Sequence, residues 1–108
     1  MLSAAEAADL LGTSYEEIEG LRASRSILAV RVGNEWRYPE LQFADERPLP
    51  RLEEIIRAHH GVDGWVVLDS LLALDSAYGG RSILMMLIEG DDESLDQVLR
   101  ELHRQYAS

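Results

Sequence analysis

Two adjacent histidines, His59-His60, are the first candidates for chemistry in this chain. Neighbouring residues on a helix point in different directions, and no third ligand is spaced to join them, so a metal site is not expected there. Glu89, Asp91, Asp92 and Glu93 form an acidic run. It lacks the alternating oxygen ligands and central glycine of a calcium loop, and reads instead as charge placed at the positive end of a helix dipole. Gly79-Gly80-Arg81 is not a phosphate loop, because no strand precedes it and no Gly-Lys-Ser/Thr follows. There is no cysteine, which removes disulfides, thiolate catalysis and cysteine-based zinc sites. No nucleophile, base and orienting group come together in the sequence, so neither an enzyme nor a cofactor is expected. Trp36, Trp65, Met85 and Met86 lie in apolar periods; the tryptophans read as core, the methionines as core or an adaptable interface.

Charge narrows the function classes further. The 108 residues carry a net charge of −10, and all ten basic residues are arginine. The excess is shared: residues 1–47 hold five arginines against nine carboxylates, residues 48–108 five against eleven. Nonspecific affinity for nucleic acid comes mostly from phosphate neutralisation, so this balance suits a basic protein partner better than DNA alone. The start, "MLSAAEAADLL", has no basic region or continuous apolar run, and no stretch approaches a membrane span in length. A soluble, cytoplasmic protein is expected.

The elements that must position these residues read as follows. Ser3 with Glu6 is a capping box opening a helix over residues 4–11, ended by Gly12, and Ser14 with Glu17 repeats the device for residues 15–23. Two short helices separated by "GTS" make a helix-turn-helix. Residues 27–32 and 35–38 then read as strands joined at Gly33-Asn34, with Trp36 joining Val30 and Val32 in apolar contact. Pro39 ends this ribbon and opens a helical turn, "PELQF". "ADERPLP" reads as a linker.

Beyond it, Leu52, Ile55, Ile56 and His59 repeat at helical spacing up to Gly61. Asp63 can cap a helix over about 64–73 that is apolar almost all round and expected to be largely buried. "DSAYGG" is a loop, 81–88 a short apolar helix, and about 93–106 an amphipathic helix with Leu95, Val98, Leu99, Leu102 and Tyr106 on one stripe. The expected fold is mainly α with a small β-hairpin wing: a winged helix-turn-helix in residues 1–47, then a four-helix unit in residues 48–108. Its apolar faces exceed what subdomains of this size can cover, so a homodimer or a complex with a partner chain is expected.

The segment "LSAAEAADLLGTSYEEIEGLRASRSILAVRVGNEWRYP" resembles the excisionase-like and MerR-like winged helix-turn-helix over residues 2–43. That resemblance implies Arg22, Arg25, Arg31 and Arg37 as DNA-contacting residues. Against it, the residues after the cap of the second helix are Tyr15, Glu16, Glu17 and Glu19, and three carboxylates on one short helix meet the phosphate field unfavourably.

Residues 48–108, through "WVVLDSLL", "LDSAYGGRS" and "LMMLIEGDDESLDQVLREL", resemble the toxin-binding domain of the Xre/MbcA/ParS antitoxins. Ile83 stands where that family usually has proline, and Tyr78 where leucine is common. The resemblance implies a RES-type, NAD-consuming toxin as partner, inhibited by covering its NAD pocket. It points to Tyr78, Gly79, Gly80 and Arg81 of the loop and to Leu102, Arg104 and Tyr106 of the last helix as toxin-binding. The alternative is a DNA-binding transcription regulator whose helical tail dimerises. A combination, in which the toxin complex represses its own operon, would keep the wing in use beside an acidic helix.

Overall fold

The structure, a computed structural model, describes residues 1–106; the last two residues of the expected 48–108 unit lie outside it. The chain begins as its caps require. Ser3 accepts from the Glu6 amide and Glu6 returns to the Ser3 amide, opening α1 (Ala4–Leu11), and Gly12 closes it with φ at 65°. Ser14 caps α2 (Tyr15–Ala23) in the same way. Its box is only half closed, because the Glu17 carboxylate takes the Thr13 hydroxyl instead of the Ser14 amide.

The ribbon that follows is shorter than expected. It pairs β1 (Val30–Val32) with β2 (Glu35–Arg37), antiparallel, with Arg31 opposite Trp36. Opposed residues project to the same side, so Trp36 shares its face with Arg31 and not with Val30 and Val32. Tyr38 continues past β2 by pairing with Leu2, through amide bonds of 2.8 and 2.9 Å. A 3₁₀ turn (Glu40–Gln42) follows Pro39.

Residues 27–29 leave the ladder for a different task. All of residues 27–30 are buried; Ile27 and Ala29 pack with α1, α2 and Tyr38, while Leu28 and Val30 join a second cluster built from the rest of the chain. An extended segment turns alternate side chains to opposite sides. "ILAV" is therefore a wall shared by two cores, which explains a continuous apolar run where a half-exposed strand would alternate. Its backbone is satisfied by a side chain: Gln42, fully buried, accepts from Leu28 N at 2.7 Å and donates to Leu28 O at 2.8 Å and Pro39 O at 3.0 Å. The Gln42 amide thus supplies the two bonds a neighbouring strand would have made.

The "ADERPLP" segment is ordered pairing, not a linker. β3 (Phe43–Ala44) pairs with β4 (Arg47–Pro48) across Asp45 and Glu46, whose φ angles of 51° and 61° make a tight reverse turn. Leu49 then enters the second core and gives its amide to Gln42 O at 2.8 Å.

Four helices complete the chain: α3 (Leu52–Ala58), α4 (Gly64–Leu72), α5 (Ile83–Glu89) and α6 (Asp92–Gln105). A 3₁₀ turn (Ser76–Tyr78) joins α4 to α5. The stripe on α6 buries Leu95, Val98 and Leu102 as its period requires, with Leu99 and Tyr106 half-buried against the same core. Arg51, ahead of α3, ties it to α6 by reaching Glu54 at 2.7 Å, Asp92 at 3.1 Å and Asp96 at 2.6 Å.

The expectation for α4 is corrected. Val67, Leu68 and Leu71 are buried, but Trp65, Val66 and Leu72 are 41%, 47% and 45% exposed. Its main packing partners are α5 and β1, and the side that carries Trp65, Val66 and Leu72 meets solvent. At its start, an ideal Cβ on Gly64 would lie 2.1 Å from Ala29 O. Only glycine lets the helix come this close to the shared wall.

Candidate functional site

The loop expected to touch a partner is built as a closed unit. Asp75 and Arg81 bridge across it, the Asp75 carboxylate accepts from Ala77 N at 2.9 Å, and Gly79 and Gly80 take φ of 69° and 77° to turn the chain back. Arg81 then locks the loop to the α5–α6 corner. Its Nε donates to Tyr78 O at 2.9 Å, Nη1 to Asp91 at 2.8 Å and Glu89 at 3.3 Å, and Nη2 to the Ser94 hydroxyl at 3.2 Å. The Ser94 hydroxyl and the Arg81 guanidinium hold the Asp91 carboxyl below its ordinary pKa. Arg81 is thus an internal tie whose donors are engaged, and the face the loop can offer consists of backbone and small residues.

The other residues pointed to on this side divide between core and surface. Leu102 is buried, Tyr106 is half-buried, and Arg104 is exposed near the end of α6. The phenol oxygen of Tyr78 is shut off from water with no hydrogen-bond partner among the described residues; burial, with Glu101 beside it, raises its pKa. Tyr78, Arg81 and Leu102 all line one cleft of about 220 Å³ between α4, α5 and α6, while Arg104 stands outside it.

An apolar face accompanies this loop. Trp65 and Leu72 lie seven residues apart on one side of α4, and Met85 and Ile88 three apart on α5. These four, with Val66 and Leu74, are from 41% to 70% exposed, Leu74 the most. The Trp65 indole is not core, although it is anchored: its Nε1 donates to Arg31 O at 2.9 Å. Met86 is fully buried and belongs to the core, whereas Met85 is exposed.

Of the four arginines expected to contact DNA, three come together. Arg22, Arg25 and Arg31 line a cleft of about 350 Å³ closed on its far side by residues 61–64. Arg22 and Arg31 both stack over the Trp36 ring, 4.7 and 5.0 Å from its centroid. Arg22 is paired with Glu19 at 2.9 Å, whereas Arg25 and Arg31 have no acidic partner within 4 Å among the described residues. Arg37 lies apart, paired with Glu35 at 2.5 Å beside a neighbouring cleft that Tyr15 and Glu19 also line. The Tyr15 hydroxyl and Arg22 together hold the Glu19 carboxyl below its usual value.

His59 is a buried titratable group. Its Nδ1 lies 2.8 Å from Ile55 O and its Nε2 3.1 Å from the Ser70 hydroxyl, with the Tyr106 ring 5.5 Å away. A carbonyl can only accept, so Nδ1 carries the proton and the Ser70 hydroxyl donates to Nε2. Burial lowers the pKa of the ring. The neutral imidazole joins α3 to α4 as a polar rivet. No group of three or more metal-ligating side chains occurs among the described residues, and His60 is exposed on the opposite side.

Sequence reading missed Gln42 and the Trp65–Arg31 bond for the same reason. Each is a long-range match between one side chain and a backbone group, and leaves no period in the sequence. No family model, curated protein or solved structure matches the chain. The fold defines a mainly helical protein with two small antiparallel hairpins, and no described helix is long and apolar enough to cross a membrane.

Proposed function

We propose that this chain is a protein-binding antitoxin, and not an enzyme, whose residues 48–108 neutralise a RES-type, NAD-consuming toxin by covering its NAD pocket. The observation that supports the reading is the set of six large apolar side chains left 41% to 70% exposed on α4, on α5 and, at Leu74, just past the end of α4, in a chain of net charge −10. Patches of this kind mark interaction surfaces, and Asp69 and Glu89 flank them with negative charge that suits a basic partner. Arg104, exposed near the end of α6, is the residue that reaches the toxin's pocket, while Tyr106 packs on the core and supports the end of that helix. Arg81 acts by holding the loop in shape, and Leu102 by packing α6 in place.

The experiment is recovery of the toxin on the tagged chain, with NAD consumption by the recovered partner measured alone and after adding the chain back. Leu74→Asp with Ile88→Asp, both on the surface, should abolish recovery and protection while the fold stays intact. Recovery undiminished by that pair of changes would sink the reading.

A second reading rests on a separate observation. Arg25 and Arg31 lack acidic partners among the described residues, as phosphate contacts in a winged helix-turn-helix require, with β1–β2 as the wing. Glu16 and Glu17 are exposed on α2 and oppose DNA binding by the chain alone. In this reading, DNA recognition belongs to the toxin complex acting on its own operon. A complex without salt-dependent affinity for its promoter would remove that role.

A further inference from the structure

We propose that the cleft between α2, β1 and the start of α4 binds a small phosphomonoester. The walls come from three places in the chain: Arg22 on α2, Arg25 and Arg31 on either side of the shared wall, and Val62 to Gly64 at the start of α4. Its volume, about 350 Å³, falls within the range of small-molecule sites.

Donor capacity in the cleft exceeds what the chain itself accepts. Arg25 is held in a left-handed conformation, φ 59°, and makes one long bond of 3.4 Å to Val62 O. Among the described residues, no acidic group lies within 4 Å of Arg25 or Arg31. Two uncompensated guanidiniums thus share one recess, in a chain with twice as many carboxylates as arginines.

The geometry favours a phosphate over a carboxylate and a small ligand over a nucleic acid. Guanidiniums from three segments offer more donors than one carboxylate's two oxygens accept, and a phosphomonoester brings three strong acceptor oxygens. Two carboxylates bear on the cleft. Glu19 is spent on Arg22 at 2.9 Å, and Asp63 accepts from Trp65 N at 2.8 Å. A small anion inside the recess lies within about one Debye length, roughly 8 Å, of the arginines, so their attraction is little screened. A duplex covers more of the N-terminal half, where residues 1–47 hold nine carboxylates against five arginines, and its phosphates are repelled. The ligand would bridge the N-terminal helices to α4, across the wall that separates the two cores.

The test uses the full chain carrying Trp65→Phe, so that Trp36 alone reports. Ribose 5-phosphate is titrated while Trp36 fluorescence and the melting temperature are followed, with ribose as the neutral control and Arg31→Gln as the variant. Arg31 is exposed on the hairpin, so that change leaves the fold intact. The expected result is saturable binding of one equivalent, a rise in melting temperature, no response to ribose, and a loss of affinity of about tenfold or more in Arg31→Gln. Inorganic phosphate should compete. The proposal is overturned by the absence of saturable binding up to about 10 mM, by equal affinity in Arg31→Gln, or by duplex DNA that binds the cleft and is not displaced by ribose 5-phosphate.

Discussion

Replacing Gly64 with alanine sets two physical effects against each other, and the structure decides the sign. In a helix, alanine is favoured over glycine by about 0.5–1 kcal/mol, so the sequence alone recommends the change. The tertiary contact forbids it. The added Cβ would meet Ala29 O at 2.1 Å, Ala29 C at 3.2 Å and Val30 Cγ1 at 3.3 Å, when real Cβ atoms do not approach below 3.0 Å. The nearest obstacle is backbone, so α4 or the 27–30 wall must retreat by roughly 1 Å, and overpacking of this kind costs about 1–3 kcal/mol or more. Gly64→Ala is therefore expected to destabilise by about 2 kcal/mol net, lowering the melting temperature by roughly 10 °C for a domain of this size. Gly20→Ala supplies the control: Gly20 lies inside α2, has ordinary φ, and its Cβ would meet nothing within 4 Å. That variant should gain about 0.5–1 kcal/mol. Urea unfolding of the two variants beside the parent gives both values on one scale. A Gly64→Ala protein as stable as the parent, with Gly20→Ala behaving as expected, would refute the close approach of α4 to the shared wall.

Three further outcomes follow from the same contacts. Gln42→Leu leaves the buried Leu28 amide and carbonyl unmet, and at about 1–3 kcal/mol for each group it should cost about 3 kcal/mol in urea unfolding; a loss below about 1 kcal/mol would show that another group can satisfy Leu28. His59 has a folded pKa below its ordinary 6.5, so the unfolded chain takes up its proton first. Stability is then full above pH 6.5 and falls as pH drops through the folded pKa; His59→Gln should flatten that part of the melting-temperature profile, and an unchanged profile would mean the ring is not buried as neutral. Asp91, held below its ordinary 3.8 by Ser94 and Arg81, contributes stability that is present above that value and lost as pH falls below it. Arg81→Met should weaken this acid dependence and loosen the 75–81 loop, read by amide exchange at Gly79 and Gly80.

Caps and amphipathic period were legible in the chain because they are local. Ser3 with Glu6, Ser14, Asp63 and Asp91 each meet their partners within three residues, and the α6 stripe needs only its own 3.6-residue repeat. The turn at Gly33-Asn34 and the stop at Pro39 were fixed in the same way. The loop at 75–81 was legible as a loop, but the commitment of Arg81 to Asp91 and Ser94 was not, since it spans an intervening helix.

What the sequence by itself determined, then, is where helices start and stop, that one tight hairpin follows the first two, and that the chain carries a net charge of −10 with arginine as its basic residue. Tertiary structure decided which apolar residues stay outside. The composition of α4 predicts burial all round, yet a helix is covered only where another element packs on it, and here the main packing comes from α5 and β1. It decided the role of "ILAV", because a run buried on both faces and a run at a hairpin edge have the same composition. It also gathered Arg22, Arg25 and Arg31 around Trp36, whose side of the ribbon is set by its pairing with Arg31. A register shift of one residue would have turned Trp36 to the other face, and nothing local in "VRVGNEWR" distinguishes the two; the closing of Trp65 and α4 onto β1 does.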